Sequence, residues 1–372
     1  MKTNLVVSLR SIVMALMLAI FVMSCQTNEP VTPQQDLLPQ KFSVNIPSAI
    51  STKSTVAGGR VKGDTLNGNA IYLNLGTFIA VGKGASEIVE AFINGIRAYH
   101  IDRVKTLTYS GDDNRSKNLV VLSQVEFGGH LWDYALTITD ADSEGNADGG
   151  KALQLFWNNE APIKGIAIIK PFNCDRTKNS LSGDSMFRID YSEGGEHGYD
   201  AEMEVRISDL PLTAPGSDKF AIGSLHMFAG RKGDVVDVFG NSNHPNANLF
   251  TADTGFNWAF VAASNEKTNI AVAEVGLPPS SLDSNDRQVL LKDYSVHNVF
   301  VAGITAIWPG IDQTLLNSYL SNTAAPGYFN SVKGFLSGGN SPGADFDVLA
   351  ARLDGLSPYN PLETSNLHVV FK

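Results

Sequence analysis

Apolar and polar positions follow two periods along this chain, and the change between them divides it. From Ile71 to Ile101 the chain is apolar, with helical spacing in its second half. Ile88, Phe92, Ile96 and Tyr99 recur at intervals of four, four and three, with Val89 and Ile93 beside them and Glu87, Glu90, Asn94 and Arg97 opposite. That spacing predicts an amphipathic helix burying one face. After it the period becomes two. Leu119, Val121, Val125 and Phe127 share a face; Trp132, Tyr134, Leu136 and Ile138 alternate with Asp133, Ala135 and Thr137; and Met203, Val205 and Ile207 alternate with Glu202, Glu204, Arg206 and Ser208. Leu153–Trp157, Phe187–Tyr191 and Phe256–Phe260 repeat the pattern.

Turn chemistry separates these runs, as at Gly111-Asp112-Asp113-Asn114, Gly128-Gly129 and Arg231-Lys232-Gly233-Asp234. No helix-length insert interrupts the strand runs, so few strands could be parallel. The expected fold is mainly β: a large antiparallel sheet, sandwich or half-barrel, of about ten to twelve strands between Val104 and Ile307, with one packed N-terminal helix. Beyond Trp308-Pro309-Gly310, Leu315, Leu316, Tyr319 and Leu320 suggest a short helix, as do Val348, Leu349 and Leu353. Residues 311–366 are therefore expected to form a helical cap, and Leu367–Phe371 a final strand.

Before the first helix the pattern is different. Lys2 and Arg10 flank an opening segment without acids, and Ile12–Met23 is unbrokenly apolar. A bilayer-spanning helix needs roughly 20 such residues, so this run has the length of a signal-peptide core. It ends in Val22-Met23-Ser24-Cys25, which resembles the lipobox of bacterial lipoproteins, with Met23 bulkier than usual for its position. The resemblance covers only the first 25 residues. It implies cleavage before Cys25 and acylation of that cysteine (palmitate or a similar chain). With Gln26 in place of Asp after it, the resemblance also implies an outer-membrane address in the cell envelope. The expected organisation is a signal peptide over 1–24, a flexible Pro-rich tether over 25–60 and a single β-rich domain over 61–372.

Composition narrows the function classes. The 372 residues are 43% hydrophobic and 18% charged, with 28 basic and 38 acidic residues and a formal net charge of −10. An acidic chain cannot neutralise phosphates, so no nucleic-acid partner is expected. Of the two cysteines, Cys25 is the implied lipidation site, which leaves Cys174 without a disulfide partner. A buried, inert thiol is the expectation there.

Three stretches carry candidate chemistry. In the loop Asp140-Ala141-Asp142-Ser143-Glu144-Gly145-Asn146-Ala147-Asp148, alternate oxygens precede a glycine, as a structural Ca²⁺ loop requires, and Asp140, Asp142, Glu144 and Asp148 are its candidate ligands. Lys151 stands where such a loop carries a bidentate Glu, and a solvated acidic turn is the plainer reading. Asn241, Asn243, His244, Asn246 and Trp258 form a candidate ligand-contact group, since amides beside an aromatic ring suit sugar hydroxyls. Gly82-Lys83-Gly84 lacks the third glycine of a dinucleotide-binding turn and reads as the start of a helix. No serine-hydrolase or zinc signature is present. Glu193, Glu196, Asp200 and Glu202 supply carboxylates, but sequence alone does not select a catalytic pair.

These features describe a lipid-anchored envelope protein, a non-enzymatic binding or interaction module for a hydrophobic molecule, a glycan or an envelope partner. A secreted polysaccharide hydrolase, with His244 and Asp237 as an acid–base pair, is the alternative. The order of one helix followed by a long antiparallel meander resembles the half-barrels of periplasmic lipoprotein carriers in gross topology.

Overall fold

The computed structural model describes residue 38 and residues 41–52, 69–97, 105–178, 183–212, 221–247, 250 and 255–372. Cys25, the signal segment and most of the expected tether lie outside the described residues.

The strands are β1 (Lys105–Ser110), β2 (Ser116–Phe127), β3 (His130–Asp140), β4 (Lys151–Trp157), β5 (Lys164–Ile169), β6 (Met186–Glu193), β7 (Ala201–Ser208), β8 (Ser224–Lys232), β9 (Val235–His244), β10 (Phe256–Asn265), β11 (Ile270–Gly276), β12 (Gly327–Asn330) and β13 (Gly334–Gly338). They form one unclosed antiparallel sheet whose spatial order is the order of the chain. Each strand therefore pairs with its sequence neighbours, as short connections favour. At the β2–β3 turn Phe127 pairs with His130, and both intervening glycines have positive φ (61° and 77°). That is the type I′ geometry matching the right-handed strand twist, and it is open to glycine with little strain.

The chain divides into two compact units, one of residues up to 43, 85–194 and 369–372, the other of 44–84 and 195–368.

In the first unit, alternation buries Leu119 and Val121 on β2, Leu136 and Ile138 on β3, Leu153, Leu155 and Trp157 on β4, Ala167 and Ile169 on β5, and Ile189 and Tyr191 on β6. Phe42 completes this face. It stacks on Tyr191 at 5.8 Å, and its ring fills the space over Gly165 where any Cβ would collide. Its backbone N–H donates to Glu90 Oε1 at 2.9 Å, tying the segment to the helix that contains Glu90. The other face carries a second apolar cluster of Trp132, Phe156, Ile166, Ile168 and Met186, against which Val369 and Phe371 pack. Residues 367–371 thus contribute packing, but they do not form one of the sheet's strands.

In the second unit, one face of β7–β12 carries a row of small residues, with Ala229, Gly240, Ala262, Ala273 and Gly327 among the larger Met227, Trp258 and Phe260. The first half of helix α2 (Asn69–Arg97) lies on this face, preceded by the short α1 (Ser48–Ser51). Tyr72 stacks on Phe335 at 5.3 Å, Phe78 meets Trp258 and His244 at 4.7 Å each, and Gly82 lies against Met227. Gly82 and Gly84 are therefore mid-helix, not at a helix start. A Cβ on Gly82 would come within 2.5 Å of Met227 Cε, so here the glycine permits close packing. The opposite face is covered by α6 (Ala344–Leu353), α7 (Pro361–Ser365) and a π-helical turn at Val289–Asp293, with Leu290, Leu291, Leu349, Leu353 and Leu356 packed on Ala259, Val261, Ala263 and Val272.

Two boundaries move. Residues 41–52 belong to the core and not to a tether: Phe42, Val44, Ile46 and Ile50 are buried, and Asn269 accepts the Ala49 N–H at 3.0 Å. The 311–366 region is not wholly helical, because it includes the β12–β13 hairpin.

Candidate functional site

The acidic loop is an ion-pair network. Asp140 is fully buried and caps the following 3₁₀ turn by accepting the Asp142 N–H. Its carboxylate receives Arg115 in a forked pair at 2.7 and 3.0 Å, Lys117 at 3.3 Å and Arg176 at 3.2 Å. Lys117, itself only 2% exposed, also donates to Asp113 at 3.1 Å and to the Asn173 carbonyl at 2.9 Å. Asp148 is taken by Lys170 at 2.7 Å and by Asn173 at 3.0 Å, and Glu144 by Asn118 at 2.9 Å. Burial alone would push the Asp140 carboxyl upward. The Arg115 hydrogen bond and the Lys117 charge outweigh it and hold the group down at about 2. Among the described residues, no three His, Cys, Asp or Glu side chains gather into a metal-holding group. Protein groups thus take up the candidate carboxylates: Arg115 reaches both Asp140 and, at 3.8 Å, Asp142, while Lys170 holds Asp148 and the Asn118 amide holds Glu144.

The Asn, His and Trp candidates are divided by strand alternation. Ser242 and His244 on β9 pair with Trp258 and Phe256 on β10 and face helix α2; His244 Nε2 lies 2.8 Å from Ser242 Oγ, and the imidazole packs among Phe78, Trp258 and Phe256. Asn241 and Asn243 point to the other face. Asn241 Oδ1 accepts the Tyr359 N–H at 2.9 Å and Asn243 Oδ1 accepts the Ser280 hydroxyl at 2.8 Å, while Asn257 donates to Ser365 at 3.0 Å. Trp258 and His244 have no exposed surface, so no ring is presented to a sugar. Asn246, half-buried, lies just past β9. These amides tie loops to the sheet.

His244 and Asp237 do not form an acid–base pair. They lie on opposite faces near opposite ends of β9, and Asp237 instead accepts from Arg352 Nε at 2.9 Å and from the Tyr199 hydroxyl at 3.0 Å. The other carboxylates are likewise engaged: Glu193 with the Tyr191 hydroxyl at 2.9 Å, Glu202 with His197 at 3.0 Å, and Asp200 with the Gly233 N–H at 2.7 Å. The half-buried Cys174 thiol, at the end of the short helix α3 (Pro171–Cys174), donates to the Ala152 carbonyl at 3.5 Å, and desolvation pushes it up to about 12, which keeps it protonated near neutrality.

The short helix expected around Leu315–Leu320 is present, but the sequence reading missed the helix before it and the surface the two form. Between β11 and β12 the chain forms α4 (Val296–Ile307) and α5 (Gln313–Tyr319). Ser295 caps α4 by accepting the Asn298 N–H, and Asp312 caps α5 by accepting the N–H groups of Thr314 and Leu315. Phe300 anchors the base, fully buried and edge-on to Phe250 at 5.1 Å, while the Phe250 ring fills the space that a side chain on Gly303 would need. Exposure then rises toward the turn. Residues 306–310 are all exposed, with Ile307 at 67% and Trp308 at 48%, and Leu315 of α5 is exposed at 37%. Between Asp293 and Lys333 only Asp312 carries a formal charge. That absence of charge was visible in the sequence and was the available signal.

The fold and its surfaces define an antiparallel β-meander protein with a helix packed on the sheet and exposed apolar residues at the α4–α5 turn. No family model matches the chain, and comparison with curated proteins and with solved structures also returned no match.

Proposed function

We propose that this chain is a lipid-anchored cell-envelope protein acting as a non-enzymatic interaction module, whose contact surface is the tip of the α4–α5 hairpin. One observation carries the reading: Ile307, Trp308 and Leu315 are all exposed in a helix–turn–helix segment whose only formal charge is Asp312. Large apolar side chains grouped on a surface lose free energy of solvation until a partner covers them. The described groups with reactive potential favour the same conclusion, since His244, Asp237 and Cys174 are held in internal contacts. The lipobox-like ending at Cys25 supplies the proposed attachment, most simply at the outer membrane.

The test is a photo-crosslinking amino acid placed at position 308 in cells, with position 332, an 88% exposed valine in the β12–β13 turn, as the control. An adduct with an envelope component, lipid or protein, from 308 and not from 332 is the expected result. Absence of any adduct from 308 would refute the assignment.

A further inference from the structure

We infer that the partner of the hairpin tip is a phospholipid bilayer, into whose headgroup–acyl boundary Ile307, Trp308 and Leu315 insert. This rests on the reading above that the tip is the contact surface, and it names what covers it.

Charge is the first argument. The chain carries a net charge of −10, and a phospholipid surface is zwitterionic or anionic, so most of the protein gains nothing from approaching it. The hairpin tip is the exception, because Ala306 to Ile311 contains no ionisable group. Asp312, bound to two backbone N–H groups at the start of α5, limits the depth to the headgroup zone. Trp308 suits that zone, with an apolar ring to bury and an indole N–H left for the wet side.

Internal hydrogen bonding is the second argument. A polar group that enters hydrocarbon unbonded costs several kcal/mol. In this hairpin many such groups are already engaged. The Thr305 hydroxyl donates to the Val301 carbonyl at 2.7 Å and the Ser318 hydroxyl to Leu315 at 2.6 Å, while Gln313 donates to Asn317 at 3.0 Å. The Trp308 N–H reaches Ile304 at 2.8 Å, the Ile311 N–H reaches Trp308 at 3.1 Å, and Pro309 has no N–H. The side-chain donors of Thr305, Gln313 and Ser318 are therefore already engaged within the hairpin when it meets a surface.

Size is the third. A stable protein interface uses about 20–30 residues a side, whereas the exposed positions from 306 to 318 are only 306–310, 312–315, 317 and 318. Membrane insertion has no such minimum area. At 12 residues α4 is about 18 Å long, too short for a hydrocarbon core of about 30 Å. It therefore dips in and does not cross.

The experiment uses the full chain purified from membranes and reconstituted in phosphatidylcholine vesicles, where its own N-terminal segment retains it. Tryptophan emission is read with and without bromine on the acyl chains. Of the four tryptophans, Trp132, Trp157 and Trp258 are buried, so a contact quencher in the lipid reports on Trp308. The expected result is quenching that disappears in Trp308→Phe, is lost in the double variant Ile307→Asp with Leu315→Asp, and is the same in low and high salt, because no ion pair contributes. All these positions are exposed, and unchanged circular dichroism verifies that the variants fold. Unquenched wild-type emission overturns the inference, as does quenching that survives the double Asp variant. If quenching fails but the crosslinker at 308 captures a protein, the lipid assignment falls and the contact surface stands. If both fail, both fall.

Discussion

Replacing Asp140 with Asn leaves the shape of the site nearly intact and removes one charge from a position with no exposed surface. Lys117, buried beside it, then retains Asp113 at 3.1 Å, Arg176 loses its contact at 3.2 Å, and Arg115 keeps only the longer pair with Asp142 at 3.8 Å. Removing one side of a buried ion-pair network costs about 3–5 kcal/mol, since Lys117 stays desolvated with part of its compensating charge gone. This is a large share of the 5–15 kcal/mol by which domains are stable. The pH dependence follows from the same contacts. The folded carboxyl sits at about 2 against an ordinary 3.8, so the charged form stabilises the fold by about 2 kcal/mol above the ordinary value. That contribution is lost as pH falls through the folded value. Urea unfolding of wild type and Asp140→Asn should therefore differ by about 3–5 kcal/mol at neutral pH, with the gap narrowing by about 2 kcal/mol between about pH 5 and about pH 2. A neutral-pH gap below about 1 kcal/mol, typical of a surface pair, would refute the account, as would a gap that ignores pH.

Trp258→Ala should destabilise the fold by about 3–5 kcal/mol in urea, because the indole is fully buried against Phe78; a loss under about 1 kcal/mol would fit a surface ligand contact instead. Cys174 should resist maleimide in the native protein at neutral pH and react rapidly once unfolded, given a thiol pushed up to about 12. Equal rates in the two states would contradict its half-buried, protonated state. Cys25→Ser should move the protein from the membrane fraction to the soluble fraction, and unchanged retention would defeat the proposed anchor.

The strand alternation from Leu119 to Phe260 and the glycine-marked turns determined the antiparallel meander from sequence, because side-chain period and turn geometry are local properties. Phe42, Val44 and Ile46 also alternate, but three positions among prolines and amides are too few to separate a core segment from a tether. Helix α4 was obscured for the opposite reason. Val296, Val299, Phe300, Val301, Ile304 and Thr305 favour strands intrinsically, and it is the Ser295 cap and the Phe300–Phe250 contact that hold them as a helix. Tertiary structure alone decided what the candidate sites became. Asp140 reads as a cation ligand until the fold brings Arg115, Lys117 and Arg176 to it from 23 to 36 positions away. Asn243 and His244 are adjacent in sequence, yet strand alternation sends one to the loop-binding face and the other beneath helix α2. A local pattern specifies which way a side chain points along its own strand. Whether it meets solvent, a helix or an opposite charge depends on elements that arrive from elsewhere in the chain, and those arrivals left the hairpin tip apolar and exposed.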